Sequence, residues 1–221
     1  MKEPVSFSPW TARAFIFDMD GTLVDNCAYH VKAWQAFSRR HGRLLSEQEI
    51  VDWMGSQAGY YIRNIVGRDL PADEIDRLTD EKEALYRALY APHVKPLPGL
   101  RALLDAAHEK GIPCAVATGG PRANVDFILD ALHLRGDFAA VVDASQYTRS
   151  KPDPECFLAA ATRLDVPAAD CLVFEDAVKG IEAAHAGGMR VAVVVTTNSR
   201  ATLEKSHPDC IVDTFDDFFP A

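Results

Sequence analysis

Residues 14–22 read AFIFDMDGT: a short apolar run with two phenylalanines and a β-branched isoleucine, then an abrupt change to Asp18, Asp20, Gly21 and Thr22. A continuous apolar run of that length and make-up predicts a strand buried on both faces. Similar runs recur as IPCAVAT (112–118), AAVVD (139–143), CLVFED (171–176), RVAVVV (190–195) and, more weakly, CIVD (210–213). Between them, apolar residues at helical spacing predict helices over 99–110, 154–164 and 177–186, the first stopped by Gly111 and the last by Gly187 and Gly188. Strands alternating with helices predict an α/β fold with a Rossmann-like parallel sheet.

The stretch 27–93 breaks the alternation. It carries helix-like segments at 29–40, 47–54, 59–66 and 72–90 and no strand pattern. We read it as an inserted all-helical domain, the core being formed by 1–26 and 94–221. The return segment APHVKPLPG (91–99), with three prolines and a glycine, suits a hinge.

Composition narrows the function classes. The chain has 221 residues, 48% hydrophobic and 25% charged, which is ordinary globular material. A formal net charge of −9, with no basic patch, argues against nucleic acid or an acidic membrane surface as partner. Residues 1–13 lack the basic start and apolar stretch of a leader, and no uncharged apolar run approaches ~18 residues, so a cytoplasmic location is expected. Cys27, Cys114, Cys156, Cys171 and Cys210 form no CxxC pair, which suits reduced thiols and neither a disulfide frame nor zinc. No apolar stripe stands apart from what a core needs, and a monomer is favoured.

Acidic residues fall where strands end: Asp18 after the first, Glu175 and Asp176 at the fourth, with Thr118 closing the second. Open parallel sheets bind ligands at those carboxyl ends. If the chain stays extended, Asp18 and Asp20 project to one side and Met19 away. Such a pair repels itself unless a cation sits between, and hard oxygen ligands suit Mg2+, which Glu175 and Asp176 could complete. A phosphate entering there needs positive charge and donors. Lys151 supplies the first; Thr118 and the amides of Gly119 and Gly120 supply the others. Taken singly, each element has an ordinary meaning: a turn, a helix cap, a loop with proline at a helix start, or acids at a helix N-terminus. Their order and joint placement favour the chemical reading.

FDMDGTLVD (17–25), ATGG (117–120), KPDPE (151–155) and FEDAVKGIEAA (174–184) resemble the four motifs of the haloacid dehalogenase superfamily. The resemblance covers nearly the whole chain, and the insertion, including HVKAW (30–34), is similar to the cap of the β-phosphoglucomutase-like and sugar-phosphatase subgroup. It implies that Asp18 attacks phosphorus to form an aspartyl phosphate. Asp20 would protonate the leaving oxygen and then activate water, and Thr118 and Lys151 would hold phosphoryl oxygens. Asp18, the Asp20 carbonyl, Glu175 and Asp176 would surround Mg2+. The substrate implied is a small phosphorylated metabolite.

In the cap, the resemblance points to His30 and Lys82 as substrate contacts. The alternatives are a helix-surface histidine and an exposed lysine on the charged helix DEKEALYR. Trp34, Trp53, Tyr60 and Tyr61 either line a pocket or form the cap's core. In the mutases of the subgroup an arginine in a cap loop grips a second phosphate, whereas residues 54–60 (MGSQAGY) contain none and Arg63 is the nearest. That favours a phosphatase over an intramolecular phosphotransferase, with a silent phosphate-binding protein as the remaining alternative. Arg122 and Asn124 are either phosphate contacts or surface residues at a helix start.

Overall fold

The structure is a computed structural model that describes residues 7–53 and 58–219. The opening apolar run forms β1 (Ala14–Phe17), every residue of it buried. The later runs form β2 (Cys114–Ala117), β3 (Ala140–Val142), β4 (Cys171–Glu175), β5 (Arg190–Val194) and β6 (Cys210–Val212). All pairings are parallel and the strand order is β3-β2-β1-β4-β5-β6. This is the α/β, Rossmann-like sheet that the alternation predicts, and its order reverses between β1 and β4.

The period-two alternation within β1 builds the two faces of the sheet. Ala14 and Ile16 join Ala115, Ala117, Val173, Val191 and Val193 in one buried layer. Phe15 and Phe17 point the other way, where Phe17 stacks on Phe174 at 4.6 Å and meets Phe138 and Phe215 edge-on. Burying each such ring stabilises the fold by roughly 1.5–3 kcal/mol.

Contacts divide the chain into two compact units, one of 1–25 with 95–221 and the other of 26–94. The second contains α1 (Cys27–Arg40), α2 (Glu47–Asp52), α3 (Ala58–Val66) and α4 (Ala72–Tyr90). Its own core gathers Val31, Trp34 and Phe37 with Ile50, Tyr61, Ile62, Ile65 and Leu78. The first unit continues with α5 (Leu100–Glu109), α6 (Arg122–Ala131), α7 (Glu155–Arg163), α8 (Val178–Ala186) and α9 (Arg200–Glu204). Among the described residues no helix is long and apolar enough to cross a membrane.

Candidate active site

Register places the acids. Phe17 pairs with Phe174, and the Asp18 amide donates to the Phe174 carbonyl at 2.9 Å, so Asp18 leaves the sheet beside the end of β4. One carboxylate oxygen from each of Asp18, Glu175 and Asp176 lies within 4.8 Å of the others, and all three residues are buried. Lys151, from the loop before α7, enters the same space. Its Nζ donates to Asp18 Oδ1 at 2.5 Å, to Glu175 Oε1 at 2.7 Å and to the Ala117 carbonyl at 3.4 Å.

Three carboxylates against one ammonium leave a buried surplus of negative charge. Burial pushes the Asp18 carboxyl up to about 7, Lys151 pulling it down while Glu175 and Asp20 push it further up. Asp176 is raised by burial and then by Glu175 and Asp18. For Lys151 burial acts downward, but the charges of Asp18 and Glu175 outweigh it and hold the ammonium well above the usual lysine range. A divalent cation on hard oxygen ligands is what this donor set fits.

Glycines allow the close packing. A β-carbon at Gly180, on α8, would lie 1.9 Å from the Glu175 carboxyl carbon. The Glu175 side chain thereby folds onto the helix start, where Oε2 accepts from the amides of Asp176 (2.8 Å) and Ala177 (2.9 Å). Gly21 has φ +84°, and a β-carbon there would meet Asp176 Oδ2 at 2.0 Å, so both conformation and space demand glycine.

Asp20 lies close enough to Asp18 for its charge to raise the Asp18 carboxyl. Beyond Met19 the chain turns, with the amides of Thr22 and Leu23 both donating to the Met19 carbonyl. Among the described residues the acidic cluster has three members and the Asp20 side chain is outside it. Its Oδ2 instead faces Gly120, 3.5 Å from where a β-carbon would sit. That turns the Asp20 carboxylate toward the Thr118 loop.

Thr118 is buried, and its amide is held by the Val142 carbonyl at 3.0 Å. Its Oγ1 accepts from the Gly120 amide at 2.9 Å, which leaves the hydroxyl proton to donate elsewhere. The Gly120 amide, expected as a phosphate donor, is thus engaged within the loop, while Gly119 is exposed. Tyr147, which the sequence did not single out, donates its hydroxyl to the Thr118 carbonyl at 3.2 Å. Arg122 is exposed and paired with Asp126 at 2.9 Å; Asn124 is buried rather than a surface residue.

In the helical unit, Lys82 is buried, not the exposed lysine of a charged helix. It donates to Glu83 Oε1 at 2.8 Å, contacts His30 Nδ1 at 2.9 Å and lies over the Trp34 ring at 4.9 Å. Lysine has only donors, so His30 Nδ1 accepts. The His30 ring stacks on Tyr86 at 3.8 Å. Trp34 and Tyr61 are buried and stacked at 4.4 Å, Trp53 is half-buried, and Tyr60 is 48% exposed. Of the segment lacking arginine, residues 54–57 lie outside the described residues.

A parallel sheet whose reversal point carries buried acids and a lysine defines an α/β enzyme with an acidic, cation-suited centre. The chain belongs to the haloacid dehalogenase-like hydrolase family, whose model matches residues 12–188. It is 36% identical over 174 residues to the Escherichia coli K12 fructose-1-phosphate phosphatase YqaB, covering 79% of this chain and 92% of that one. To hexitol phosphatase A of the same organism it is 32% identical over 185 residues, covering 82% of each chain. The β-phosphoglucomutase of Clostridium difficile superposes with a TM-score of 0.81 at 26% identity, over 93% of this chain and 92% of that one.

Proposed function

We propose that this family member is a phosphoric monoester hydrolase, an Mg2+-dependent phosphatase of a small phosphorylated metabolite, a sugar phosphate first among them, working in the cytoplasm. The observation that carries the reading is Lys151 bridging Asp18 and Glu175 inside a buried acidic cluster at the reversal point of the sheet. The two sugar-phosphate and hexitol-phosphate phosphatases among its relatives support the substrate class.

The reaction divides among this chain's residues as follows. The Asp18 carboxylate attacks phosphorus as the ester P–O bond breaks, and Asp20 gives its proton to the departing oxygen. Asp20, now a carboxylate, takes a proton from water as that water attacks the aspartyl phosphate, which releases phosphate and restores Asp18. Lys151 and the Thr118 hydroxyl, with the Gly119 amide, hold phosphoryl oxygens and offset their charge; at ~4 Å and an effective dielectric of ~20 each opposite charge contributes about 4 kcal/mol. The residues that would hold Mg2+ are Asp18, Glu175 and Asp176, with Asp20 contributing through its main chain. When bound, the ion neutralises phosphoryl charge and offsets the surplus of the cluster. His30 and Lys82 are the cap residues we propose for substrate recognition.

A second reading, an intramolecular phosphotransferase, is favoured by the likeness to β-phosphoglucomutase and opposed by the absence of arginine in residues 54–60. One experiment separates them: phosphate release from a panel of sugar phosphates, nucleotides and pyrophosphate with Mg2+, beside Asp18→Asn, with conversion of β-glucose 1-phosphate to glucose 6-phosphate followed in parallel. Phosphate release that Asp18→Asn abolishes is expected. Isomerisation without release would overturn the phosphatase reading.

A further inference from the structure

We infer that the loop following β5 is a clamp on the metal-binding side of the active site, with Thr197 the positioning residue that fixes the carboxylate of Asp176. The inference rests on the cation reading proposed above. Three consecutive side chains reach three different groups. The Thr196 hydroxyl donates to the Gly21 carbonyl at 2.6 Å, the Asn198 side-chain amide donates to the Asp176 carbonyl at 3.3 Å, and between them the Thr197 hydroxyl bonds the Asp176 side chain. Asp176 and Thr197 meet over the bare Cα of Gly21. A β-carbon there would be 2.0 Å from Asp176 Oδ2 and 2.7 Å from Thr197 Oγ1.

The loop is itself fixed at both ends. On one side the Val195 amide donates to the Val212 carbonyl of β6 at 3.0 Å. On the other Ser199 caps α9 by accepting from the Thr202 amide. Thr196, Thr197 and Asn198 lie outside the four motifs and beyond the residues 12–188 that the family model matches. They connect the turn after β1, which carries Asp20, to Asp176, just beyond the end of β4. A carboxylate with a fixed hydroxyl donor offers its other lone pairs in one direction, and partners of this kind typically change metal affinity about 10–100-fold.

The test is Mg2+ titration of substrate-free protein, by calorimetry and by the Mg2+-induced rise in melting temperature, for wild type, Thr197→Val and Thr197→Ser. Valine keeps the shape and removes the donor; serine keeps the donor. We expect Thr197→Val to weaken Mg2+ binding about tenfold or more, with the activation constant for Mg2+ rising by the same factor, and Thr197→Ser to restore both. Wild-type affinity in Thr197→Val would overturn the inference, as would a loss that serine does not restore. A wild-type protein that does not bind Mg2+ would instead sink the cation reading. If Thr197→Val fails to fold, Asn198→Ala, which frees the Asp176 carbonyl, must weaken Mg2+ binding for the clamp to stand.

Discussion

Lys151 is the only cation among the four charged side chains it shares with Asp18, Glu175 and Asp176, and it holds two of them within 2.7 Å. Removing it leaves buried carboxylates unpaired, which typically costs about 3–5 kcal/mol. Lys151→Met is expected to lose that much stability in urea unfolding of metal-free protein and to lose turnover with it. Asp18 sets a pH dependence of opposite sense to a surface salt bridge. Its carboxyl is raised from 3.8 to about 7 in the fold, so between those values the folded chain keeps a proton that the unfolded chain has released. Stability of the metal-free protein therefore falls as pH rises through that window. A cation needs the carboxylate, so its binding releases the proton. The melting-temperature rise on adding millimolar Mg2+ should be larger at about pH 8 than at about pH 5.5; an equal rise at both would contradict the cluster's role.

At the scale of elements, α8 begins where the Glu175 carboxylate lies against Gly180, and the helix tolerates no side chain there. Gly180→Ala should gain helix propensity, yet displace Glu175 from the amides of Asp176 and Ala177 and from Lys151. A net loss of about 1–3 kcal/mol and a fall in kcat are expected, read by thermal unfolding and steady-state kinetics; a stabilised variant would show that the pocket relaxes freely. The strands and the helices α5, α7 and α8 were legible because continuous apolar runs and helical spacing alternate with clear stops. Of α6 only a helix start near Arg122 was read, since it follows Gly-Gly-Pro (119–121), a strong loop signal, and its buried face is carried by Asn124, Val125, Ile128 and Leu129. The acids of the site were legible as strand ends. What stayed hidden depends on contacts distant in sequence. Nothing local marks Lys82 as buried, Tyr147 as bonded to Thr118, or Thr196 and Thr197 as touching a turn some 175 residues earlier.

For the whole molecule, the division into units differs in kind between them. The helical unit is one continuous stretch, 26–94, with its own aromatic and aliphatic core, whereas the other unit needs both chain ends. The isolated segment 26–94 is therefore expected to be helical by circular dichroism and to unfold cooperatively at low urea, as a core of that size allows; a random-coil spectrum would show that it depends on the rest. β1 stands at the opposite extreme. It lies at the centre of the sheet, yet its neighbours are β2, starting at Cys114, and β4, starting at Cys171. On a ribosome adding ~5–20 residues per second, the AFIF segment waits on the order of 10–30 s for β4 to be made. Until β2 is made neither flank of this apolar segment can be covered, and until β4 follows only one can, while the helical insertion can already be folded, so the growing chain passes through a stage in which its future centre is a sticky, exposed strand awaiting partners or a chaperone.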